Sequence, residues 1–147
     1  GSDKEDMTLE NLARTASAAH AIGVPMLGEM VPGGFDSPPE MRGTEAVAFA
    51  ARLGAELGAD FIKAPYCADY AKVTSSTFVP VVILGGSKTS EADMLTDIRS
   101  ALDSGAAGVA IGRNVFQAPD PTAMTAAIVT LVHDDVSVDQ ALAVLKG

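Results

Sequence analysis

The chain has 147 residues, 48% hydrophobic and 20% charged, a composition that fits one globular domain and neither a disordered nor a fibrous segment. A net charge of −9 argues against a nucleic-acid partner, which would need clustered Lys and Arg, and no apolar run approaches the ~18–20 residues of a membrane span. An anionic ligand would therefore need a local basic pocket working against the overall field. That draws attention to Lys63, Lys88 and Arg113, each within or just after an apolar stretch.

From Thr8, a plausible N-cap, the positions Leu9, Leu12, Ala13, Ala16, Ala19 and Ala21 predict a helix that Gly23 stops. The apolar run Val24 to Met30, closed by Pro32-Gly33-Gly34, predicts a buried strand, and the proline-bearing stretch Asp36 to Arg42 a loop. A second helix is expected from Thr44 to Leu57, ended by Gly58, then a strand over Asp60-Phe61-Ile62-Lys63. Ala68 to Thr77 is ambiguous and long enough for one or two helical turns. The β-branched series in Val79 to Leu84 predicts a third strand, and Ala107 to Ile111 a fourth, each closed by glycine. Between them, a helix is expected from the polar start at Ser90 and Asp93 up to Gly105. Pro121 to Val132 and Val138 to Leu145 read as the last helices.

Apolar strands alternating with helices predict a parallel sheet built from βαβ units. Four strands make either a small open sheet or half of a barrel, and the pattern alone does not choose between them. In both, ligands bind at the C-terminal ends of the strands.

Lys63 is the most informative residue. An ammonium ending an apolar strand is poorly solvated, and desolvation favours the neutral amine that attacks a carbonyl. Strand alternation places Phe61 and Lys63 on one face and Ile62 on the other. The bland alternative is a lysine that snorkels to solvent or pairs with a carboxylate. Glu29, near the end of the first strand, is either a proton-transfer group for Lys63 or only its ion-pair partner. Tyr66 is either a phenol that reaches the site or a packed loop aromatic.

The third strand runs into Gly85-Gly86-Ser87-Lys88 and the fourth into Gly112-Arg113-Asn114. Glycines let backbone N–H groups approach phosphate oxygens, and Arg113 to Gln117 has the length of a short extra helix beside such a site. The alternative is that these glycines only turn the chain. His20 and His133 have no carboxylate or cysteine at ligand spacing, so no metal site is expected. Cys67, the only cysteine, cannot form an internal disulfide, which gives the expectation of a reducing, cytoplasmic setting.

Gly58-Ala59-Asp60-Phe61-Ile62-Lys63-Ala64-Pro65-Tyr66, Pro80 to Gly86, and Gly105 to Gln117 carry a resemblance to the archaeal-type class I fructose-bisphosphate aldolase family. The resemblance extends from about Met7 to the C-terminus. The broader family includes synthases of an aminodideoxyheptulosonate and a thiolase acting on a phosphorylated signal molecule. It implies a (β/α)8 barrel of which this chain is the C-terminal half, strands five to eight. It also implies a Schiff base at Lys63, and substrate phosphate at Gly85, Gly86 and Ser87 and at Gly112 and Arg113; Lys88, the cation of the first turn, is expected beside that phosphate from its position in the sequence. Two departures accompany it. Val31-Pro32-Gly33-Gly34 stands where the family tends to carry Tyr-Pro-Arg-Gly, leaving Glu29, Tyr66 or a water as proton donor, and the strand-one Asp is absent.

The expectation is thus a class I aldolase that cleaves a ketose phosphate such as fructose 1,6-bisphosphate reversibly, without metal or organic cofactor. The alternatives are transaldol or acyl transfer on the same scaffold, and a non-catalytic phosphate-binding half-barrel. Residues 1–6 are expected to be a tag remnant or the end of a missing N-terminal half, and residues 7–147 the half-barrel itself. The expected partners are a phosphorylated sugar, that missing half and further copies of the protein. Alone, the chain is expected to be inactive.

Overall fold

The computed structural model describes residues 2–147. Helix α1 (Glu5–His20) leads into β1 (Leu27–Glu29), and α2 (Thr44–Glu56) into β2 (Phe61–Pro65). A short α3 (Tyr70–Ser75) precedes β3 (Val81–Leu84), and α4 (Glu91–Asp103) precedes β4 (Gly108–Ala110). Then come one-turn α5 (Arg113–Phe116), α6 (Pro121–His133) and α7 (Val138–Lys146). The strands form one sheet in the order β1-β2-β3-β4, every neighbouring pair parallel. The expected α/β fold with a parallel sheet is therefore what the chain adopts.

Side-chain alternation gives the sheet two different faces. Gly28, Ile62, Ala64, Val81 and Ile83 point toward the helices and are buried. They meet Val47 and Ala51 of α2, and Leu95 and Ile98 of α4, in one core that extends to Met124 and Leu131 of α6. The opposite face carries Leu27 beside Phe61, then the row Glu29, Lys63, Val82, Gly108, then Leu84 beside Ala110. Phe61, Lys63, Val82 and Leu84 on that face are only half-buried.

Several boundaries differ from the sequence reading for identifiable reasons. The first strand is confined to Leu27–Glu29 because Pro25 has no N–H and the Met26 N–H donates to the Asp60 carboxylate at 2.6 Å instead of to a ladder carbonyl. The second strand continues past Lys63 to Pro65, so Lys63 lies inside it rather than at its end; Ala64 and Pro65 stay in register with Ile83 and Leu84. Helix α1 starts before Thr8, whose hydroxyl donates to the Glu5 carbonyl at 2.9 Å, while Glu5 and Asp6 suit the positive end of the helix dipole. The ambiguous stretch resolves as α3, held down by buried Tyr70 and Val73. Ser90, Asp120 and Ser137 cap α4, α6 and α7, Ser137 in a reciprocal capping box with Gln140.

Candidate active site

The site lies at the C-terminal ends of the strands, where parallel α/β sheets bind ligands. Glu29 and Lys63 are register partners on adjacent strands, and Lys63 Nζ is 2.8 Å from Glu29 Oε1. With side-chain exposures of 22% and 36%, the pair is shielded on one side and open on the other. It opens into a cleft of about 460 Å3 that is also lined by Gly85, Gly86, Ser87, Gly112 and Arg113. A carboxylate in this position can accept the proton that Nζ must lose before attacking a carbonyl.

The turns after β3 and β4 are locked to each other. Arg113 Nη2 donates to the Gly86 carbonyl at 3.0 Å. Asn114, the buried polar residue at the start of α5, donates through Nδ2 to the carbonyls of Gly85 (2.7 Å) and Ser87 (3.0 Å) and accepts from the Thr89 N–H at 3.0 Å. Glycine is required here for two separate reasons. A Cβ on Gly85 would stand 2.7 Å from Ile111 Cγ2, and Gly86 has φ +58°.

Two of the residues singled out from sequence are placed elsewhere. Among the described residues, Tyr66 and Lys88 do not line the cleft. The Tyr66 ring packs at 5.5 Å from that of Tyr70 and adjoins the core, while Lys88 Nζ is bound to the Gln117 carbonyl. Burial pushes the Cys67 thiol up, which disfavours the thiolate. No group of three or more potential metal ligands is found among the described residues, and no helix there is long and apolar enough to cross a membrane.

Sequence reasoning missed Asn114 and Arg42. Asn114 follows Arg113 directly, and the cation masks the amide as a sequence signal. Arg42 ends a 3-10 turn, Pro39–Arg42, within the stretch whose prolines predict a loop, and it lines the cleft. A basic residue in a proline-rich connection at the carboxyl end of a strand was the available signal.

A parallel α/β sheet with a lysine, a carboxylate and two interlocked glycine turns at its carboxyl edge matches the barrel-type aldolases in fold. Residues 1–118 match the family described as DeoC/LacD family aldolase, and the chain belongs to that family. It is 37% identical over 142 residues to 2-amino-3,7-dideoxy-D-threo-hept-6-ulosonate synthase 1 of Archaeoglobus fulgidus, covering 97% of this chain and 53% of that protein. It is 36% identical over 143 residues to the 3-hydroxy-5-phosphonooxypentane-2,4-dione thiolase of Klebsiella pneumoniae, covering 96% and 47%. A solved archaeal fructose-1,6-bisphosphate aldolase, with its catalytic Lys covalently bound to the carbinolamine intermediate of the substrate, superposes with a TM-score of 0.79 at 34% identity, covering 88% of this chain and 53% of that one. The chain spans about half the length of the curated relatives it matches.

Proposed function

We propose that the chain carries the Schiff-base centre of a class I aldolase that cleaves a ketose phosphate such as fructose 1,6-bisphosphate, and that it forms strands five to eight of a (β/α)8 barrel completed by an N-terminal half. The observation that carries this reading is the Lys63–Glu29 pair, set side by side on neighbouring strands and opening into the same cleft as the Gly85-Gly86-Ser87 and Gly112-Arg113 turns. The half-barrel assignment is supported by the half-buried apolar face of the sheet and by relatives about twice as long.

In this scheme Glu29 takes a proton from Lys63, and the free amine adds to the ketone carbon to give a carbinolamine, the type of intermediate held by the catalytic Lys of the archaeal relative. Loss of water yields an iminium. A base removes the proton of the hydroxyl on the far carbon of the scissile bond, that carbon becomes the aldehyde carbonyl as the bond breaks, and the bond's electron pair passes to the iminium nitrogen. The aldehyde leaves, the resulting enamine is protonated at carbon, and water releases the ketone phosphate from Lys63. The N–H groups of the two turns and the Arg113 guanidinium hold the phosphate of the ketone half.

Borohydride added with dihydroxyacetone phosphate to the complete protein should fix that three-carbon unit on Lys63 as a secondary amine, and Lys63→Ala should abolish the label. Labelling of Lys88 instead, or no label under turnover conditions, overturns the assignment. The names of the synthase and thiolase relatives favour one second reading, transfer of a donor fragment to another acceptor from the same covalent centre. Product analysis with and without an added acceptor aldehyde separates the two.

A further inference from the structure

Helices α1 and α2 each turn an apolar row toward the loop after β1. Leu9 and Leu12 of α1, Phe49 and Leu53 of α2, and Met30 and Met41 beside them line a chamber of about 400 Å3. On α2, Ala46, Phe49, Ala50 and Leu53 recur at helical spacing and so share the face that forms its wall. Alanine at two of those four positions leaves the space open. Its size lies within the roughly 300–1,000 Å3 usual for small-molecule sites.

The chamber is continuous with the catalytic cleft, because Glu29, Val31 and Phe35 line both. It therefore begins at the carboxylate that touches Lys63 Nζ and extends between the helices. In the sheet it belongs to the β1 side of the Lys63 strand, whereas the two glycine turns follow β3 and β4 on the other side. No Lys or Arg lines it among the described residues, and its charged liners are the carboxylates of Glu5 and Glu29. An anionic tail is repelled there. An apolar tail instead covers the Phe35 and Phe49 rings, which are 66% and 69% exposed.

We propose that this chamber is an acceptor site for aldehydes with an apolar tail, to which the complete protein adds a three-carbon phosphate donor. This rests on the reading of Lys63 as the covalent centre. The enamine carbon attacks the aldehyde carbon, a C–C bond forms, and the aldehyde oxygen takes up a proton to become a hydroxyl. Water then hydrolyses the iminium, which releases a ketose phosphate bearing the tail and returns the Lys63 amine.

The test is aldol addition by the complete protein with dihydroxyacetone phosphate as donor and propanal, butanal and hexanal as acceptors. The kcat/KM for the aldehyde should rise with each methylene and reach about 10- to 50-fold from propanal to hexanal. Ala50→Leu, which fills the chamber, should bring that ratio close to one, and Leu53→Ala, which widens it, should extend the rise to octanal. The ratio is taken within each variant, so a smaller folded fraction does not alter it. No addition to any of these aldehydes, a flat series in the parent, as an N-terminal half filling the chamber would give, or a ratio that survives Ala50→Leu overturns the proposal. Calorimetric binding of 1-propanol and 1-hexanol, which have no carbonyl, reads the chamber apart from the chemistry. Tail-dependent binding that Ala50→Leu removes, with no borohydride label at Lys63, keeps the chamber and sinks the Schiff-base reading.

Discussion

Asn114 Nδ2 donates to the Gly85 carbonyl at 2.7 Å, so the turn after β4 fixes the shape of the turn after β3. The same side chain also holds Ser87 and Thr89, and it is 4% exposed. Asn114→Ala would leave the partly shielded Gly85 and Ser87 carbonyls and the Thr89 N–H without this partner and should cost about 1–2 kcal/mol of stability. A lowered urea midpoint with an unchanged slope is the expected result. An unchanged midpoint would mean that water replaces all three hydrogen bonds.

A second expectation concerns pH. The Asp60 carboxylate accepts from the Met26 N–H at 2.6 Å and lies 2.9 Å from His20 Nε2, joining the start of β1 and the end of α1 to the start of β2. The Met26 hydrogen bond first, and the His20 contact second, hold its pKa below the ordinary carboxylate range. Because the folded value is the lower one, the unfolded chain takes up its proton first as pH falls. The stabilisation is complete above roughly pH 4 and is lost as pH drops through the lowered folded value. Urea midpoints measured from pH 6 to pH 3 should fall more steeply for the parent than for Asp60→Asn. Parallel curves would show that Asp60 does not couple folding to protonation.

Much of the fold was legible because burial and periodicity act locally. The run Val81-Val82-Ile83-Leu84 is a strand, and its alternation divides helix-facing Val81 and Ile83 from Val82 and Leu84. Gly23, Gly58 and Gly105 mark where helices hand over to strands. In the site, Lys63, Glu29 and the two glycine turns were legible because each stands beside an apolar strand. The rest depended on contacts between segments distant in sequence. Pairing with β3 carries β2 on to Pro65. The side chain of Lys88 is drawn to the Gln117 carbonyl, away from the cleft, and Tyr66 packs against Tyr70. Arg42 has no apolar run to announce it, and only the path of the loop after β1 brings it to the cleft.

In the Schiff-base scheme, Glu29→Gln keeps the size of the side chain and an acceptor oxygen near Lys63 but removes a group able to take a proton. Formation of the borohydride-trappable adduct should slow by about 10²- to 10⁴-fold, the usual contribution of a positioned acid or base. The final extent of labelling at Lys63 should be retained after long incubation. Single-turnover trapping followed by mass measurement reads the rate. A rate within twofold of the parent would reduce Glu29 to an ion-pair partner.

The last expectation concerns the 147-residue chain by itself. One face of its sheet is sealed by helices, whereas Phe61, Lys63, Val82 and Leu84 on the other face are half-buried, with Leu27 beside Phe61. Covering a Leu, Val or Phe side chain fully contributes about 1.5–3 kcal/mol, and half of that gained at four apolar positions is roughly 3–6 kcal/mol. That is a large share of the 5–15 kcal/mol by which a typical domain is stable. Strands β1 and β4 also end the sheet and present backbone groups to any further strand. An N-terminal half supplying strands one to four would cover the face and pair both edges. The chain purified alone should therefore self-associate in light scattering and show no aldolase activity, and a co-expressed N-terminal half should convert it into a discrete, active species. A stable and active monomer of the 147 residues would show that this sheet needs no complement.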